Sequence, residues 1–110
     1  MTLHSDLAAG RCWTMTLAEQ LASAGADVGR AIRAKSDGDT ARFAPALDRA
    51  LELLDLTLAD RRRSGPQLKE IARMREVVCD FLIGNNEYGS TSEWIESYFT
   101  EFALAARRDR

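Results

Sequence analysis

Apolar residues return every third or fourth position over four stretches of this chain. That spacing confines it to helices packed against one another. At about 100° per residue, Leu17, Leu21, Ala24, Val28 and Ile32 fall on one stripe. Phe43, Leu47, Ala50, Leu51, Leu54 and Leu58 form a second, and Leu68, Ile71, Met74, Val77, Val78, Phe81 and Leu82 a third. Trp94, Ile95, Tyr98, Phe99, Phe102 and Ala106 make the fourth and most aromatic arc. These patterns predict helices over about 16–35, 40–60, 66–83 and 91–107 of the 110 residues. Short joins between amphipathic helices favour antiparallel neighbours. The expected fold is therefore all-α, an antiparallel up-and-down four-helix bundle over 14–110. An irregular N-terminal arm, 1–13, precedes it, with Trp13 expected to pack on the bundle end.

Local signals punctuate the same four segments. TLAE places Thr16 as a helix cap and Glu19 as its reciprocal partner, the capping-box arrangement. The polar run SDGD (36–39) ends the first helix, and Pro45 falls near the first turn of the second, where proline is tolerated. RRRSGP (61–66) is a stop and restart, with Pro66 suited to the first position of the third helix. Gly84 sits where a left-handed C-terminal residue is wanted, and STSE (90–93) predicts a second box with Ser90 as cap and Glu93 answering it. In GNNEYGSTSEW this leaves Asn85, Asn86, Glu87 and Tyr88 without a structural task. A connector of this length is ordinary between helices, and that is the expectation for it.

Composition excludes much chemistry. The net charge is −2, whereas a nucleic-acid binder carries a basic balance or a dense basic face. The arginine clusters Arg61–Arg63 and Arg107, Arg108, Arg110 therefore read as solvated helix ends, where cations suit the dipole. The single histidine, His4, cannot supply the paired Glu-x-x-His set of a di-iron bundle. Nor can it furnish a conventional zinc site or a Ser-His-Asp or Cys-His pair within one subunit. No glycine-rich phosphate loop occurs. Cys12 and Cys79 read as free thiols, although spacing leaves their pairing open. No run approaches the ~18 apolar residues of a membrane span. The opening MTLHSDLAAGRCW has no basic leader followed by an apolar core. A cytoplasmic protein without a cofactor is expected.

The carboxylates are the remaining candidates for catalysis. Asp48, Glu52 and Asp55 recur at helical spacing, and Glu76 and Asp80 lie one turn apart. Such clusters hold Mg²⁺ or Mn²⁺ in all-α nucleoside triphosphate pyrophosphohydrolases, where carboxylate pairs grip metal against substrate phosphates. This alternative is a metal-dependent nucleotide hydrolase with Asp55, Glu52 and Glu70 as catalytic residues. Its metal ligands would be Asp48, Glu52, Asp55, Glu76 and Asp80. The helical wheel opposes it: Glu52 points away from the apolar stripe, and Glu76 and Asp80 lie beside Lys69 and Arg73 on a solvated side. Glu70 falls inside the apolar arc of the third helix, so it needs a partner; Arg75, Arg49 and Tyr98 are the candidates. A nucleic-acid accessory built on the arginine clusters is the other alternative.

From LAEQLASAGADVGRAI through RALELLDLTLAD, LKEIARMREVVCDFLIG, NEYGST and YFTEFALAAR, the chain resembles a family of small prokaryotic proteins. These are helical bundles of about this size with no assigned activity. The resemblance spans nearly the whole chain after residue 13. It implies a compact bundle and brings no catalytic residue with it. What distinguishes the sequence is surplus contact surface. Leu53 and Leu56 lie off the main stripe, Leu104 lies opposite the aromatic arc, and Ala18, Ala22, Gly25 and Gly29 form a seam of small residues that another helix could approach closely. The expected function is non-enzymatic, through protein–protein contacts. Self-association into a homo-oligomer is expected, with Leu53, Leu56, Ala18, Ala22, Gly25 and Gly29 at the interface.

Overall fold

The computed structural model describes residues 14–108. The arm 1–13, with His4, Cys12 and Trp13, and the terminal Arg110 lie outside the described residues. Four helices follow in order, α1 Leu17–Ser36, α2 Thr40–Leu58, α3 Gly65–Leu82 and α4 Ser92–Arg108, with no strand among the described residues. The fold is all-α. No helix among them is long and apolar enough to cross a membrane.

Cross-helix contacts give the directions. Gln20, near the start of α1, reaches Asp60 just past the end of α2, and Asp27 meets Arg49 midway, so α2 runs back along α1. Asp55 and Arg75 pair α2 with α3 in the same opposed sense. Lys35 Nζ donates to the carbonyls of Phe81 and Leu82, which brings the C-termini of α1 and α3 to one pole. Arg33 faces Glu96, and Gly25 lies against Phe99, so α4 runs opposite to α1. Helix α1 is the centre of the packing: α2 and α4 both lean on it, while α3 rests chiefly on α2. Helices α3 and α4 stand apart, and the bundle is open along that edge.

The helix starts follow the predicted chemistry closely. Thr16 Oγ1 accepts from the Glu19 amide at 3.1 Å and Glu19 returns the bond to the Thr16 amide at 2.9 Å. Replacing the exposed Thr16 by Ala should lower stability by about 1 kcal/mol, read as a shift in the urea midpoint at constant slope. A second capping box, not foreseen, joins Ser64 to Gln67 and opens α3. Pro66 sits in that first turn as expected. Pro45 lies inside α2 without breaking it. It is exposed together with Ala41, so the carbonyl that loses its donor faces solvent.

Two expectations about the last connector are corrected. Gly84 is not left-handed; the positive φ values fall at Asn86 and Gly89. Gly84 instead approaches the Asp80 backbone so closely that a Cβ would lie 3.0 Å from the Asp80 carbonyl oxygen. The cap of α4 is Thr91, whose Oγ1 accepts from the Trp94 amide at 3.1 Å. The Ser90 backbone is engaged elsewhere, giving and receiving hydrogen bonds with the Asn86 side-chain amide. With Thr91 as cap, Glu93 lies one residue too early to answer it.

The core gathers one face from each helix around Leu21, Val28, Leu54, Ile71, Val78 and Ile95, each at most 2% exposed. Buried polar groups are matched. Thr57 donates to the Leu53 carbonyl at 2.8 Å within its own helix. Asp60 is 3% exposed and collects Gln20 Nε2 at 2.8 Å, Arg62 at 2.6 Å and Arg63 at 3.2 Å. Both arginines also donate to the Met15 carbonyl, so this cluster locks the chain entering α1 onto the α2–α3 turn.

Candidate functional site

The structure separates the sequence candidates into groups that the fold uses and groups that it leaves at the surface. Asp48 is exposed and Glu52 half-buried on α2. Asp55 is tied to Arg75 by a 2.7 Å ion pair, which raises the arginine's pKa further. Asp80 accepts from the backbone amides of Glu87 and Tyr88 at 2.8 and 3.1 Å, and Glu76 accepts from the Tyr88 hydroxyl at 3.2 Å. The Arg73 guanidinium lies 5.5 Å from the centre of the Tyr88 ring. Glu76 and Asp80 thus hold the 84–91 connector against α3. Among the described residues, no three His, Cys, Asp or Glu side chains converge as metal ligands need to. Cys79 is half-buried, and burial pushes its thiol pKa up. That is the opposite of what an activated nucleophile requires.

Glu70 departs from expectation in one respect. It is exposed, because α4 does not close over the start of α3. Its partner is one of the three foreseen: the Tyr98 hydroxyl donates to Oε1 at 3.2 Å.

Within the arginine clusters, Arg61, Arg107 and Arg108 are exposed, whereas Arg62 and Arg63 are engaged. Arg62 and Arg63 turn inward to Asp60, and the Arg63 side chain is only 10% exposed; they are not the solvated helix end expected. A cleft of about 540 Å³ between α1 and α2 gathers Arg30, Arg33, Arg42 and Arg49. Each of these faces a carboxylate: Asp27 serves Arg30 and Arg49, Asp37 and Asp39 serve Arg42, and Glu96 serves Arg33. Matched charges of this kind leave little excess potential for a phosphate backbone.

The expected interface residues are also redistributed. Leu53 is 3% exposed and belongs to the core, on the same side of α2 as Arg49, which meets Asp27 of α1. Leu56 is partly buried and packs against the core. The small-residue seam receives α4 of the same chain: Phe99 sits on Gly25, and a shallow groove with Ala22, Gly25, Gly29 and Phe99 in its walls remains outside. Leu53 and Gly25 are thus used in packing within the chain, while Ala18, Ala22 and Leu56 stay half-buried.

The surface that stays open lies where α3 and α4 diverge. A groove of about 480 Å³ is walled by Glu70 on one side and by Trp94, Tyr98, Glu101, Phe102 and Arg108 on the other. Trp94 is 52% exposed although it begins the aromatic arc. Its ring stacks on Tyr98 with centroids 6.3 Å apart and planes 23° from parallel, and Phe102 meets Tyr98 at 5.3 Å and 59°. Phe99 turns inward, edge-on to Tyr98 at 5.1 Å. The Tyr98 hydroxyl is held well above the usual phenol pKa, first by burial and then by the Glu70 charge and hydrogen bond. It stays protonated and donating across the working pH range. The chain matches no protein-family model, no curated protein and no solved structure.

Proposed function

We propose that this protein is a non-enzymatic contact module of the cytoplasm that associates with a second copy of itself through the outer face of α4. The observation that carries this is Trp94, half exposed and stacked on Tyr98 along an edge that the bundle leaves open. Tryptophan and tyrosine are among the residues that most often dominate interface energetics.

The choice of a second copy rests on charge and spacing. Trp94, Tyr98, Glu101, Ala105 and Arg108 are separated by four, three, four and three residues, the interval of a helix–helix seam. Glu93 lies in the first turn of α4 and Arg107 and Arg108 in its last, while Glu96 is turned to Arg33 of α1. An antiparallel pairing with another α4 sets the first turn of each copy, with Glu93, against the basic last turn of the other, as complementary interfaces require. A two-fold axis near Glu101 brings Trp94 of one copy beside Arg108 of the other and sets the two Glu101 side chains together at the axis, where they oppose the pairing.

Sedimentation velocity from micromolar to millimolar protein tests the proposal. The expected result is a mass rising toward twice that of the chain, and Trp94→Ala should weaken the association at least about tenfold. A constant monomer mass over the whole range would rule the proposal out. Association that is indifferent to Trp94→Ala would move the interface to another face.

A further inference from the structure

Aromatic rings and carboxylates meet at one corner of the α3–α4 groove. Trp94 and Tyr98 present near-parallel rings one helical turn apart, Phe102 tilts across the far edge of Tyr98, and Glu70 enters from α3. The face of such a ring is negative and attracts a cation, most strongly for tryptophan. Donation of the Tyr98 proton to Glu70 enriches that ring further. Glu101 adds a second carboxylate to the same wall. Among the described residues that line the groove, Arg108 is the one cation, and it lies fourteen residues from Trp94, about 21 Å along the helix. The corner therefore offers negative potential on an apolar surface, and the groove's own walls place no cation near enough to satisfy it. A flat hydrophobic patch would carry the rings without the carboxylates, and a solvated acidic patch would lack the rings.

We infer that this corner is a cation-recognition site, taking a guanidinium or alkylated ammonium group between Trp94, Tyr98 and Glu70. The inference rests on reading the α3–α4 face as a contact surface, and it specifies the chemistry that surface selects. The group can come from a side chain of the second copy, for which Arg108 is placed, or from a separate molecule. Both present the same charge to the same rings.

The experiment uses the full chain with Trp13→Phe, so that Trp94 is the sole tryptophan, at a concentration where sedimentation gives the monomer. Tetramethylammonium and guanidinium are titrated against Trp94 fluorescence and amide chemical shifts. Tert-butyl alcohol serves as the uncharged probe of similar shape. Saturable binding of the cations, at least tenfold tighter than the alcohol and at least tenfold weaker in Glu70→Gln/Glu101→Gln, is the expected result. Both substitutions are at exposed positions, and the amide oxygen that Glu70→Gln introduces would still accept from Tyr98, so the fold should persist. Equal response to alcohol and cation, or full binding in the double variant, would overturn the inference. Arg108→Gln then identifies the source. Loss of self-association with free-cation binding intact assigns the group to the second copy. Unchanged self-association assigns it to another molecule. If the protein associates through Trp94 without preferring cations, the contact reading stands and this inference falls. If it binds cations as a permanent monomer, the reverse holds.

Discussion

Asp60→Ala should cost about 3 kcal/mol of stability, and lower the melting temperature by roughly 15 °C, without touching the hydrophobic core. Asp60 is 3% exposed and is the common acceptor for Gln20, Arg62 and Arg63. Removing it leaves the Arg63 guanidinium, 10% exposed, without its carboxylate. An uncompensated charge at that depth is far more costly than the loss of a surface pair. The Arg62 side chain is 44% exposed and can turn to water, which keeps the estimate near the low end for a buried pair. Asp60→Asn separates charge from packing. The Arg62 hydrogen bond holds the Asp60 carboxyl well below the usual range, with further help from the Arg62 amide, Gln20 and the Arg63 charge against the opposing effect of burial. A depressed folded-state pKa contributes stability that is complete above the unfolded value near 3.8 and is lost as pH falls through the folded value. The gap between wild type and Asp60→Asn should therefore stay constant from neutral pH down to about 4 and close only below it. Urea midpoints at several pH values measure this directly. A gap that closes between pH 7 and pH 5 would place the stabilising charge elsewhere.

The Asp60 cluster also shows where sequence reasoning stops. The four helices were legible because each carries an apolar stripe with the right period, and the Thr16–Glu19 box fixed the start of α1 almost to the residue. Gln20, Asp27 and Asp60 were not legible as buried groups. Their signal was faint but present. Gln20, Ala24, Asp27 and Ala31 form a stripe beside the main apolar one, and α1 buries both because α2 and α4 press on it from two directions. A wheel that assumes one contact face per helix assigns that second stripe to solvent. The same assumption placed Leu53 outside, although it lies beside Arg49 on the side of α2 that meets α1, and Trp94 and Glu70 inside, where the divergence of α3 and α4 leaves them open. The candidate site is thus made of residues noticed singly, a tyrosine, a glutamate and a row of aromatics. Their meeting depends on how far two helices separate, which periodicity does not encode. The carboxylates weighed as metal ligands are dispersed for a related reason. Helical spacing put Asp55 and Asp80 near other acids in sequence, while tertiary structure gave each a nearer partner in Arg75 and the connector amides.

Two glycines on the small-residue stripe of α1 should respond to substitution with opposite signs. At Gly25 a Cβ would overlap the Cβ of Phe99 and lie 2.8 Å from its Cγ. Phe99 is 4% exposed and pinned edge-on by Tyr98, and the blocking atoms adjoin its backbone, so only a shift of α4 can relieve the contact. Alanine here recovers about 1 kcal/mol of helix propensity but costs about 1–3 kcal/mol by overpacking, a net loss. Leucine sets three more carbons where the Phe99 ring lies, and α4 must lift from α1. Exposing Phe99 and Ile95 makes Gly25→Leu destabilising by about 4 kcal/mol or more, on the scale of deleting a buried aromatic side chain. The urea slope should fall as well, because part of the surface normally released on unfolding is already exposed in the native state. Gly29, one turn further on, is the internal control. A Cβ there meets only the Arg33 guanidinium, 3.3 Å away at the far end of a flexible side chain. The arginine can swing aside, so Gly29→Ala should gain up to about 1 kcal/mol from helix propensity alone. A loss at Gly25 with a gain at Gly29 would locate the stripe's role in the α1–α4 contact. Equal losses at both would mean that α1 itself requires the glycines and that α4 does not depend on the close approach.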